Sequence, residues 1–263
     1  MKQIESIDEI HQTLLGIVKP FVEVCNKHDI PYSMLGGTML GAIRHKGFIP
    51  WDDDMDFGVP RKYYDKLIHV LEKELPQEYR CLTYKNCEQI KYPFIKIEDC
   101  RTCIDDPRLD CPMEEKPGVN IDIFPLDYCR PKSLRLKWTS FLLRLQTIVF
   151  VESTSQSNLT KIIKHSLRAI IPFSRIFLIK WIDTMHSTIQ HDDYIGNLSG
   201  RWKNKEIFQA DVYLSTMEYD FEGIRMLGVH DYQTYLSQLY GDYTKLPPIE
   251  ERQSHVENVY YRI

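Results

Sequence analysis

The sequence predicts an α/β (α+β) fold with a mixed-sheet core and a mainly helical C-terminal half. Three observations carry this. Helix-spaced and strand-like runs alternate from the N-terminus to about residue 130, the order that builds a layered mixed sheet. From Pro131 onward the apolar spacing turns helical. Composition is that of a globular chain, 43% hydrophobic and 27% charged, with no internal period of a repeat protein. The expected division is a catalytic core over 1–130 and a helical region over 131–263.

Ser6 to Glu9 has the S-x-x-E form of a capping box. Behind it Ile10, Leu14, Ile17, Phe21 and Val24 form the stripe of a helix packed on one face. Pro20 predicts a kink there, and Pro31 predicts an end near His28–Asp29. Tyr32–Leu35 reads as a short strand running into Gly36-Gly37, with Thr38 as cap of a helix over Met39–Arg44. Met55–Val59 reads as a strand bounded by Pro60, and Arg61–Leu75 as a helix stopped before Pro76. Strand-like runs follow at Arg80–Tyr84, Pro93–Glu98, Thr102–Asp105 and Val119–Phe124. A Ser/Thr/Asn/Gln-rich break over 153–160 interrupts the later helices.

Charge excludes some functions. Thirty-three Lys and Arg against thirty-seven Asp and Glu give −4, which argues against a nucleic-acid partner. The polar opening MKQIESIDEIHQ lacks the apolar core of a secretory signal. The longest apolar stretches are broken by Arg144, Gln146 and Lys180, short of the about 18 residues a spanning helix needs. Seven scattered cysteines read as reduced thiols, those at 81, 87, 100, 103 and 111 as strand-core residues, so a cytoplasmic location is expected. Cys100-x2-Cys103 lacks a partner pair at zinc-finger spacing. The ten basic residues of 130–182 face one acid, Glu152, making that segment +9 and the remainder −13. Such a basic segment either neutralises the acidic remainder or docks on an anionic membrane at its inner face.

Residues 47–60, GFIPWDDDMDFGVP, carry the strongest chemical signal. Strand alternation sends Asp54 and Asp56 to one side, with Asp52 at the same parity and Met55 opposite. Carboxylates converging at a strand end repel unless a cation joins them, and hard oxygen ligands suit Mg²⁺ or Mn²⁺. Some 15 residues earlier, Gly36-Gly37-Thr38 offers backbone N–H groups at a helix start, a cradle for phosphate. Arg44 suits phosphate oxygens or an ion pair with the acids, and His45 suits donation or proton relay.

The run LGGTMLGAIRHKGFIPWDDDMDFGVP (35–60) resembles the signature of the LicD family of phosphocholine transferases, and also that of fukutin-related ribitol-phosphate transferases. Further matches are FIKIEDCRT (94–102), GVNIDIFPLD (118–127), FEG (221–223) and YGDYTKLPP (240–248), followed by Arg252 and His255. The resemblance is loose over 131–205. It implies a nucleotidyltransferase-like core with metal acids at Asp52, Asp54 and Asp56. It implies a CDP-choline donor and a cell-surface glycan acceptor, possible in lipid-linked form, with CMP released. Transfer of ribitol-, glycerol- or ethanolamine-phosphate, true nucleotidyl transfer, and a silent glycan or lipid adaptor are the alternatives. Asp122, one acid among the apolar residues of Asn120–Phe124, is the expected further metal ligand, with an Arg partner as the other reading. Asp52 is also expected to orient or deprotonate the attacking hydroxyl. Lys96 on its strand is expected to neutralise the diphosphate with Asp99 holding it, and Asp127 to cap a turn. Arg252 and His255 are expected at a flap on the acceptor side. Among sixteen tyrosines and four tryptophans some would cage a quaternary ammonium.

Overall fold

The computed structural model describes residues 1–88, 90–106, 111–150, 164, 168, 173–252 and 258–262. His255, Lys161 and the polar break at 153–160 lie outside these residues. Helix α1 (Ile7–Lys27) begins where Ser6 Oγ accepts from the Glu9 N–H at 3.2 Å, and it contains Pro20. Its apolar stripe is buried and packs on α3 (Arg61–Glu74) and on strands β5 (Ile95–Asp99) and β7 (Asn120–Tyr128). Phe21 from α1 meets Tyr32 and Phe57 with ring centroids 5.2 and 5.0 Å away. Each such buried apolar side chain contributes roughly 1.5–3 kcal/mol.

The nine-stranded sheet has the central order β10 (Thr216–Phe221), β11 (Ile224–Val229), β2 (Ser33–Met34), β3 (Asp56–Pro60), β7, β5, β4 (Tyr79–Leu82). Strands β3 and β7 pair in parallel, with Asp56 opposite Asp122. The other edge of β7 is shared. Strand β5 takes residues 120–123, and β8 (Tyr194–Asn197) takes 126–128 before pairing with β9 (Ile207–Gln209). A separate three-stranded sheet joins β1 (Lys2–Gln3), β12 (Val259–Tyr261) and β6 (Thr102–Ile104).

The α/β class and mixed sheet match the expectation. Beyond residue 131 the chain does supply helices: α4 (Leu134–Phe150), α5 (Arg175–His186), the short α6 (Ala210–Leu214) and α7 (Tyr232–Tyr240). It also supplies strands β8 to β11, which pair into the sheet begun before residue 130. Cys81 in β4 and Cys103 in β6 are buried strand cysteines as expected, whereas Cys25 is buried in α1, Cys129 is buried beyond β7, and Cys87, Cys100 and Cys111 are only partly buried outside the strands.

Two expectations are corrected. Asp127 does not cap a turn, because β7 runs through Pro125 to Tyr128 and carries it inside. There Arg61 Nε and Nη2 donate to its two carboxylate oxygens at 2.7 and 2.8 Å. Asp99 does not hold Lys96. It pairs with Arg101, while Lys96 pairs with Asp122, its register partner across β5 and β7.

Candidate active site

Helix α2 (Gly36–Arg44) starts one turn earlier than predicted, with Leu35 rather than Thr38 at its cap position. The glycines therefore form its first turn. Thr38 is buried, and its hydroxyl accepts from the Asp56 N–H at 2.8 Å, tying the helix to the start of β3. Gly36 adopts φ +50°, a left-handed conformation that costs glycine little, and its N–H donates to the Tyr235 hydroxyl at 2.9 Å. A Cβ on Gly37 would collide with Asp52 Oδ2. The small residues are thus required by the carboxylates above them.

These elements wall a cavity of about 730 Å³. Gly36, Gly37, Asp52, Asp54, Asp56 and Asp122 all line it, and Arg44 closes one side. Asp53 belongs with Asp52 and Asp54 in an acidic group whose ligand atoms lie within 4.8 Å of one another. It is only 4% exposed and does not line the cavity. The cavity set is therefore Asp52, Asp54, Asp56 and Asp122; β3 begins only at Asp56, so Asp52 and Asp54 reach the cavity from the segment before the strand rather than by strand alternation. The turn bearing them is propped from outside the cavity. His11 Nε2 donates to the Asp52 carbonyl at 2.7 Å while its ring stacks on Phe48 at 3.9 Å. Glu222, in the hairpin between β10 and β11, accepts from the Phe48 N–H at 3.3 Å.

Crowding shows in the electrostatics. Burial, then the charges of Asp54 and Asp53, push Asp52 up to about 7. Burial and then Asp54, Asp122 and Asp52 push Asp56 well above the usual carboxylate range, against the pull of Lys96. Four carboxylates on one wall, with Asp52 and Asp56 raised by burial first and by like charges second, are the hard oxygen donors that suit a divalent cation such as Mg²⁺ or Mn²⁺. The Lys96 contact to Asp122 leaves that carboxylate further lone pairs for such an ion. A folded chain that keeps a proton the unfolded chain releases near pH 4 loses stability as pH rises. Metal-free Asp52→Asn protein should therefore gain on the wild type as pH climbs from about 4 to 7. Urea midpoints in EDTA check this, and a constant difference would contradict the crowding.

The remaining predicted residues divide. Arg44 makes no ion pair with the acids among the described residues, and donates instead to the carbonyls of Tyr243 and Lys245 at 3.2 and 3.3 Å. Its position on the cavity wall still leaves it beside any phosphate bound there. His45 is not on the wall. It accepts from Arg44 Nε at 2.9 Å, and burial and then Arg44 lower its pKa. Lys96 stands behind Asp122 rather than on the wall. Arg252 also lies off the wall, over the ring of the lining Trp51 at 5.1 Å.

Sequence reasoning missed the wall from beyond residue 195: Asn197, Gly200, Arg201, Trp202, Glu206 and Tyr235. Glu206 is buried and pushed up to about 7 by that burial, though the Trp202 N–H donates to it at 2.6 Å. Nothing in their local spacing distinguishes these residues. The YGDYTKLPP match does contain Tyr240, Asp242, Tyr243, Lys245, Leu246 and Pro247, which also line the cavity.

A family model described as "LicD/FKTN/FKRP, nucleotidyltransferase domain" matches residues 29–172. The chain is 32% identical over 265 residues to the lipopolysaccharide cholinephosphotransferase LicD of Haemophilus influenzae, covering 92% of each protein. Uncharacterized proteins of Rickettsia prowazekii and Rickettsia typhi are 37% and 36% identical over 93 residues, 35% of this chain and 32% and 27% of theirs.

Proposed function

The chain belongs to the LicD family of transferases, and on that premise we propose that it moves phosphocholine from CDP-choline to a hydroxyl of a lipopolysaccharide or related cell-surface glycan. The observation that carries this reading is the single cavity in which four carboxylates face a glycine cradle. Trp51, Trp202, Tyr240 and Tyr243 on the same wall suit a quaternary ammonium.

Asp52, Asp54, Asp56 and Asp122 would hold Mg²⁺ or Mn²⁺. The bound ion would neutralise diphosphate charge. The acceptor oxygen attacks the phosphorus that bears choline, and the bond from that phosphorus to the bridging oxygen breaks. CMP leaves with the electron pair. The hydroxyl proton passes to a carboxylate of the wall, and Asp52 suits that task by its place there. Gly36 and Gly37 let the donor phosphates approach the backbone, and Arg44 faces their charge. The protein's contribution is positioning and charge stabilisation.

With Mg²⁺ present, CDP-choline should raise the melting temperature and be consumed with release of CMP. A ligand binding only the folded state stabilises it by roughly 2.7 kcal/mol at a hundredfold excess over Kd. A larger shift with CDP-ribitol or CDP-glycerol would transfer the assignment to those alcohols. Stabilisation by CTP or ATP alone would favour nucleotidyl transfer.

The reading extends to peripheral contact with an anionic membrane through 130–182. Among the described residues no helix is long and apolar enough to cross a membrane. Yet α4 leaves Leu134, Trp138, Phe141 and Ile148 exposed, and α5 leaves Ile176, Phe177 and Trp181 exposed. Exposed Lys137 and Lys180 lie among them, in the +9 segment. Each cation near an anionic leaflet is worth about 1 kcal/mol. Vesicles rich in phosphatidylglycerol should sediment the protein at low salt and lose part of it at high salt. Trp138→Ala with Trp181→Ala should weaken what remains. Salt-insensitive binding, or none, would instead leave this face as a cover for the acidic remainder.

A further inference from the structure

A second groove of about 470 Å³ opens beside the acidic cavity and shares Phe124, Gly200 and Arg201 with it. Its aromatic side is built by Tyr92 stacked on Phe94 at 5.5 Å and Phe94 against Phe124 at 4.3 Å. Its rim is cationic, formed by Arg144 of α4 together with Arg201 and Lys203. None of the three has a carboxylate within ion-pair distance among the described residues. Burial holds the Lys203 ammonium below its ordinary pKa, Glu206 raises it and Arg144 lowers it further. Lys203 also sits at φ +54°, a conformation that side-chain-bearing residues rarely keep without a local reason. The Ser199 hydroxyl lines the groove with no hydrogen-bond partner among the described residues.

Aromatic rings alone would suit choline as well as sugar. The cations decide against choline, because three positive charges repel a trimethylammonium. They suit a carboxylate or phosphate, while an aromatic face suits the apolar C–H face of a pyranose. The groove meets the acidic cavity at Gly200 and Arg201, so a sugar held here lies next to the carboxylates. We propose that this groove is a subsite for an acidic sugar of the acceptor, bound by Arg144, Arg201 and Lys203 over the Tyr92–Phe94–Phe124 surface. Its place in the reaction rests on the transferase reading, but binding of the sugar does not.

The test titrates the full chain, without donor, with a galacturonic acid disaccharide and with its neutral galactose counterpart, followed by ligand-observed NMR. The acidic disaccharide should bind at least tenfold more tightly than the neutral one. Arg144→Glu and Lys203→Glu should each erase most of that preference, and Tyr92→Ala should weaken both sugars alike. Lys85→Glu, the same charge change on another surface, should retain the preference. Equal binding of the two sugars, or Glu variants that still discriminate, would overturn the subsite. A chain that consumes CDP-choline yet does not discriminate the sugars loses the subsite alone. One that discriminates them yet leaves CDP-choline intact keeps the subsite and loses the donor assignment.

Discussion

Asp56→Asn and Asp54→Asn proteins should each turn over CDP-choline at least about 100-fold more slowly than wild type, with melting temperatures at or above it in EDTA. The two halves of this result have one cause. Asp56 lies in register with Asp122 and feels Asp54, Asp122 and Asp52 as like charges. An amide removes that repulsion and so does not destabilise the metal-free fold. It also removes an anionic ligand, which an essential cation does not forgive. Single-turnover CMP release and calorimetric Mn²⁺ titration measure the two effects. A variant with wild-type turnover and an undiminished metal requirement would remove that residue from the site.

Asp127→Ala should destabilise the fold by about 3–5 kcal/mol without touching the cavity wall. Asp127 is 1% exposed and takes both donated hydrogen bonds from Arg61, whose Nη1 lies 2.9 Å from Asp183. Burial alone would lower the Arg61 pKa, yet the hydrogen bonds and charge of Asp127 hold it above its ordinary value. Truncation leaves a partly buried guanidinium with Asp183 as its remaining carboxylate partner among the described residues, and a cavity at the end of β7. Asp127→Asn keeps the shape and should cost less. Urea unfolding compares the three proteins, and an alanine cost below about 1 kcal/mol would mean that the pair contributes little net stability.

Asp127 also shows where local reading ends. A proline after an alternating run reads as a strand end, but Pro125 pairs with Val59 in a parallel ladder, and the strand continues. The strength of β7 comes from three partner strands, one of them from residues 194–197, and no local pattern contains that information. Lys96 fails locally for a related reason. Nearness along the chain points to Asp99, whereas sheet register sets Asp122 beside it.

What the sequence determined by itself is whatever depends on neighbours along the chain. Period 3.6 marked the buried face of α1, and the capping box marked its start. The acid spacing marked Asp52, Asp54 and Asp56 as one group, and the 35–60 run carried the family. Tertiary structure decided what depends on register and on closure of the cavity. Parallel pairing of β3 with β7 brought Asp122 to Asp56, and the chain beyond 195 returned Trp202, Glu206, Tyr235 and Tyr240 to complete the wall. Side-chain periodicity is a local property of backbone geometry. The meeting of residues some 140 to 200 positions apart is set by which surfaces bury each other, and only the folded chain specifies that.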